Sequence, residues 1–196
     1  MNVGRWSCVL GVALLSASVC GPRVLAQAPS SASHNHGGMD SKIQSSELVK
    51  AVRESTARFR DVRVAEAEGY GLMFGCVSGS DFGAMGMHFV NGSLINDDVV
   101  DPAHPEIVIY EPTADGRLRL IGADFIIFKS VWDAKHPEGP PQLMGQLLHL
   151  FDEPNRFGLP AFYTLHVWAW KDNPNGTFVN WHPRVSCDGF SGGSHE

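Results

Sequence analysis

Beyond the first twenty residues the chain contains two cysteines, Cys76 and Cys187, about 110 positions apart. If they are joined, the segment between them becomes one closed loop, and any fold must bring its two ends together. On the chain-entropy account a crosslink of that span contributes roughly 4 to 5 kcal/mol. Neither cysteine lies in a CxxC setting that would favour a thiolate. A disulfide is therefore the expected state, provided the chain reaches an oxidising compartment.

The N-terminus supplies that route. Arg5 precedes an apolar run from Cys8 to Val19, followed by Gly21-Pro22 and then Val24-Leu25-Ala26 before Gln27. This order of charge, apolar core and small-residue cleavage site predicts a signal peptide over residues 1–26, with Gln27 as the mature start. About 12 apolar residues are too few to span a bilayer, which needs about 20 in helical form. Cys20 does not read as a lipidated cysteine, because Ala17-Ser18-Val19 lacks the leucine and the small residue expected before one. The expected location is secreted or periplasmic, with no membrane insertion after cleavage.

The leader carries Arg5 and Arg23 and no acid, so the 15 basic residues of the chain fall to 13 against 21 acids. Such an acidic domain has no basic stripe to neutralise phosphates, which argues against nucleic-acid partners and against anionic membrane surfaces.

Residues 27–44 are rich in Ser, Ala, Pro, His and Gly and nearly devoid of large apolar side chains. They read as a flexible tail. Within it His34, His36 and Met39 are either soft donors for weak copper or zinc capture or incidental polar residues.

Residues 45–196 are expected to form a single α+β domain. Ser45 or Ser46 can cap a helix, Glu47 suits its first turn, Leu48, Val52, Phe59 and Val62 recur near helical spacing, and Gly69 is the expected stop. After Tyr70 the pattern changes to glycine-rich turns and short β-prone runs. Strands are expected at Met85 to Val90, Glu106 to Glu111 and Arg117 to Phe128, the last two joined by the turn Pro112 to Gly116. A second hairpin is expected from Phe162 to Trp170 and Thr177 to Trp181, while Gln142 to Phe151 stays open between strand and short helix. The predicted architecture is one N-terminal amphipathic helix packed on a curved, mostly antiparallel β-sheet, as in cystatin-like folds.

Period-two alternation picks out the candidate site. In Met85-Gly86-Met87-His88-Phe89-Val90 the two methionines share a face, where they are either core filler or a soft pair for Cu(I). Asp124 falls on a strand face with Leu118, Leu120, Gly122 and Ile126, where a carboxylate needs a partner; a bulge at Gly122 that turns it outward is the alternative. His166 is placed with Trp168 and Trp170, which are expected to line a binding pocket or to leave a histidine bonded within the core.

Together His88, Asp124 and His166 make a two-histidine, one-carboxylate set suited to a transition metal such as copper, zinc or iron. Glu111, His149 and His182 are substitutes if one member points away. The glycines and serines around Gly75 to Gly83 form no GxSxG, and HExxH, the P-loop, the dinucleotide fingerprint and CxxCH are absent.

The stretches Met85 to Asn91, Ile109 to Pro112, Leu165 to Trp168 with Asn173-Pro174, and Pro183 to Cys187 resemble those of uncharacterised secreted bacterial proteins. The resemblance implies export and carries no activity. The leading expectation is an exported small-ligand or metal-binding module with a pocket lined by His, Asp and Trp. The alternatives are a small hydrolase or isomerase using Asp124 with His88 or His166 as an acid–base pair, and a structural or interaction domain.

Overall fold

The computed structural model describes residues 47–192. The signal peptide expected over residues 1–26, the tail over 27–44 and the caps at Ser45 and Ser46 lie outside the described residues.

Helix α1 covers residues 47–56. A 3-10 turn at Ala57–Arg60 and helix α2 at Val62–Ala67 follow it, so the helical segment is broken where one continuous helix to Gly69 was expected. The break is Asp61, whose backbone is extended and whose carboxylate accepts the Arg63 N–H, capping a new helix. No described helix is long and apolar enough to cross a membrane.

The chain then enters a curled antiparallel sheet. Its strands are β1 (Tyr70–Gly79), β2 (Gly83–Asn91), β3 (Ile107–Pro112), β4 (Leu118–Phe128), β7 (His149–Phe151) and β8 (Phe162–Val167), in the spatial order β1-β2-β3-β4-β8-β7. A short helix α3 (Lys129–Asp133) follows β4, and β5 (Gln142–Leu143) pairs with β6 (Gln146–Leu147) in a separate two-stranded ribbon.

Two details depart from the sequence expectation, and one stretch that it left open is settled. Strand β1 occupies ten residues where glycine-rich turns were expected. The ambiguous stretch from Gln142 to Phe151 resolves into three short strands. Residues 177–181 form no strand. Trp168 N–H still donates to Thr177 O, but β8 takes β4 and β7 as its partners.

Alternation along the strands separates two apolar faces. On one, Met87, Phe89, Val108, Tyr110 and Leu120 are buried in one cluster, and Ala123, Phe125, Leu165 and Val167 in another with Leu48 and Val52. On the other, Val90, Ile107, Ile109, Ile121, Ile126 and Trp168 pack together.

Two irregularities reset this alternation. Between β1 and β2 the register passes from Val77↔Gly86 to Ser78↔Ala84, leaving Met85 as the extra residue; between β3 and β4 it passes from Ile109↔Gly122 to Tyr110↔Leu120, leaving Ile121. Gly86 permits the first, since its φ of +97° is the left-handed region and a Cβ there would meet Tyr110 O at 2.7 Å. As a result Met85 shares the wall of a hollow with His88 and Val90, while Met87 packs with Phe89 on the opposite face. The expectation that both methionines share a face is overturned, and the paired-thioether reading for Cu(I) goes with it.

Cys76 and Cys187 are joined as a disulfide, with their Cα atoms 5.8 Å apart. Cys76 is fully buried in β1, whereas Cys187 lies in an irregular C-terminal segment.

Candidate metal centre

Asp124 on β4 and His166 on β8 are direct cross-strand partners. His88 on β2 is three strands from β8 in the sheet order, a separation of about 14 Å in a flat sheet with strands about 4.8 Å apart. Yet His88 Nε2 lies 3.3 Å from His166 Nε2. Only a curled sheet with all three side chains on its inner side gives that distance.

The three residues are buried, and one donor atom from each falls within 4.8 Å of the others. Among the described residues this is the one such group of three found.

Hydrogen bonding sets the role of each atom. His88 Nδ1 lies 3.2 Å from Gly86 O, and since a carbonyl only accepts, Nδ1 carries the proton and Nε2 presents a lone pair. The bulge glycine thus also orients the imidazole. Asp124 Oδ1 accepts the Thr164 hydroxyl at 2.6 Å, leaving Oδ2 aimed towards His166. His166 Nδ1 is 3.4 Å from Asp124 Oδ2 but out of line for a hydrogen bond, and it has no hydrogen-bond partner.

Burial dominates the ionisation of the group. It lowers the His88 pKa to about 4, helped by repulsion from His166, and lowers that of His166 to about 3, helped by His149. It raises Asp124 to about 6, against the pull of His88 and the Thr164 hydroxyl. At neutral pH the group is two neutral imidazoles and one carboxylate, the protonation state a cation requires.

The substitutes are engaged elsewhere. Glu111 is clamped by Arg119 at 2.7 Å and Lys171 at 2.6 Å. His182 accepts the Arg184 N–H at Nδ1 and donates from Nε2 to Asp172 O. His149 is exposed on β7.

The tryptophans also need correction, because neither lines the hollow beside the three ligands. Trp168 donates its indole N–H to Val179 O and meets His182 edge-on at 4.9 Å. Trp170 lies beyond the end of β8, donating to Thr56 Oγ1 beneath the Arg60 guanidinium. The aromatic walls of the hollow are phenylalanines instead: Phe74, Phe151, Phe157 and Phe162.

Glu106 was missed by the sequence reading. It is buried, and its Oε2 accepts the Ile126 N–H at 3.1 Å, filling a ladder position at the end of β3. Its parity with Val108 and Tyr110, which put an acid in step with an apolar face, was the available signal. Burial raises its pKa to about 8, with a further push from the Asp124 charge.

Because the folded value lies above the unfolded one, the stabilising contribution of Glu106 is full below about pH 4.5 and is lost as pH rises through 8. Glu106→Gln keeps the acceptor and removes the charge. Its thermal midpoint should therefore exceed that of the parent at pH 9, with the gap closing towards pH 5; a constant gap across that range would contradict the assignment.

No family model matches the chain, and no curated protein or solved structure matches it either, so the functional reading rests on this geometry.

Proposed function

We propose that this is an exported domain, spanning residues 45–196, that binds one divalent transition-metal ion through His88, Asp124 and His166. The observation that carries the reading is the convergence of three buried donors from three strands, with His88 Nε2 left unprotonated because Nδ1 donates to the Gly86 carbonyl. An ion with metal–nitrogen bonds of about 2.0–2.1 Å in tetrahedral geometry sets neighbouring donors about 3.3 Å apart. The separation of 3.3 Å between His88 Nε2 and His166 Nε2 matches that edge.

Export is supported by the leader-like N-terminus and by the disulfide. Buried Leu48 and Val52 support an amphipathic N-terminal helix over the face of the sheet opposite the site. The acid–base reading has less support: imidazoles held near pKa 3 to 4 are poor bases at neutral pH, and His166 and Asp124 are not hydrogen-bonded.

The test is elemental analysis of full-length chain exported from a bacterial host and purified without a His-tag. One equivalent of metal is expected, falling to none in His166→Ala. Protein that stays metal-free after dialysis against zinc, ferrous and copper salts would overturn the proposal.

Thr164→Val probes the support behind the ligands, since it deletes the hydroxyl that fixes Asp124 Oδ1. A 10–100-fold loss of metal affinity, about what residues behind a ligand typically contribute, is expected by competition titration. Unchanged affinity would show that the carboxylate needs no such anchor.

A further inference from the structure

The three ligands line a hollow of about 40 Å³ on the inner side of the sheet. One water molecule needs roughly 10–15 Å³ on the same scale, so the hollow admits about three water-sized bodies. Its walls include Met85, Val90, Ile107, Ile126 and Phe162, all buried and with no side-chain hydrogen-bonding group beyond the weakly accepting Met85 sulfur. Apart from the ligands, the polar side chain on the wall is Thr164, whose hydroxyl is already given to Asp124. Three protein donors leave one or more coordination positions open on a tetrahedral or octahedral ion.

Size and polarity together select the guest. We propose that the hollow receives a neutral molecule of two or three heavy atoms, of the dioxygen or nitric oxide class, which coordinates reversibly to a ferrous ion held by His88, Asp124 and His166. The inference rests on the metal-binding reading above and extends it to the metal's second ligand. A charged or strongly hydrogen-bonding guest would lose its hydration and find no replacement partner on these walls. A neutral diatomic has little hydration to lose.

The solvent side of the hollow points the same way. It is formed by the half-buried Phe74, Phe151, Phe157 and Leu159. Phe74 and Gly75 are the two extra residues of an irregularity in β1, and Phe74 has a φ of 65°, an uncommon conformation for a bulky side chain. That conformation goes with a ring seated 5.3 Å from Phe157. An approach from that side runs past these apolar side chains, which favours small neutral molecules over hydrated ions.

The experiment loads full-length protein with ferrous iron under anaerobic conditions, measures the iron, and then adds nitric oxide, azide or imidazole separately. Nitric oxide should give the EPR signal of a ferrous nitrosyl at one per iron. Azide, which fits by size but is charged, and imidazole, which is neutral but too large, should bind at least a hundredfold more weakly. Leu159→Trp, which fills the hollow from a loop, should retain iron and lose at least tenfold in nitric oxide affinity; Phe157→Ala should admit imidazole.

Iron at one equivalent with no nitrosyl signal, or with azide and imidazole binding as readily as nitric oxide, overturns the inference and leaves metal binding intact. Failure to hold iron overturns both. Xenon uptake by metal-free protein, followed by NMR, reports the hollow independently of the metal and of either variant, and its absence would also sink the inference.

Discussion

Replacing Cys76 and Cys187 together by alanine is expected to lower the unfolding free energy by about 4–5 kcal/mol. The bridge closes a loop with a sequence separation of 111 residues, and the chain-entropy account assigns a crosslink of that span about this value. Total stabilities of single domains are about 5–15 kcal/mol, so the loss is a large fraction of the whole. The fold makes this crosslink more than an entropic device. Strand β1 is an edge strand, paired with β2 alone and broken by two register shifts. The segment around Cys187 forms no strand, and the isolated pairing of His182 with Ala84 is its nearest ladder pairing among the described residues. The disulfide holds these two poorly paired elements against each other, with Cys76 fully buried in the cluster around Tyr110 and Phe89. Urea unfolding of the double variant beside the oxidised parent gives the figure directly. A loss below about 1 kcal/mol would mean that packing alone holds both elements.

The buried His88, Asp124 and His166 group was largely legible in the chain because it depends on parity over short distances. His88 alternates with Met87 and Phe89, Asp124 with Ala123 and Phe125, and His166 with Leu165 and Val167, so each polar group sits opposite an apolar face within its own strand. Once Asp124 pairs with His166, two ligands meet with no further information. What the chain concealed are features that depend on a partner strand. An extra residue in a bulge reverses parity from that point, and nothing in Ala84-Met85-Gly86 alone says whether Met85 pairs or is skipped. The same reversal at Ile121 separates Leu118 and Leu120 from Asp124, so the face proposed from the sequence mixed residues of both sides. The tryptophans were misplaced for a related reason. Strand β8 ends at Val167, and beyond it the chain turns, Ala169 N–H donating to Val167 O, so Trp170 no longer follows the alternation of His166. The phenylalanines of the hollow are non-local: Phe74 enters from β1, Phe151 from β7 and Phe157 from a loop. No spacing rule links them.

Asp124→Asn should weaken metal binding on the order of a hundredfold or more, beyond the range typical of residues that only support a ligand. The same substitution should stabilise the metal-free protein at neutral pH, and this pairing of effects separates a binding site from a structural cluster. With a folded pKa of about 6, above its ordinary value of 3.8, Asp124 contributes stability that is full below 3.8 and lost as pH rises through 6. At pH 7.5 the ionised carboxylate is therefore a burden on the metal-free fold, on the order of 2–3 kcal/mol, which the neutral amide avoids. The gain should vanish near pH 4. Metal affinity in the parent follows the same group: acidification from pH 7 to pH 5 should cost about tenfold, because Asp124 takes up a proton while His88 and His166, held near 4 and 3, remain neutral. A site built from ordinary exposed histidines would fall more steeply, with imidazoles of pKa about 6.5 protonating over that interval. Thermal melts and metal titrations of parent and Asp124→Asn at pH 7.5, 5 and 4 decide the matter. A variant that melts lower than the parent at pH 7.5 while keeping its metal affinity would make Asp124 a structural acid, leaving two histidines and no centre.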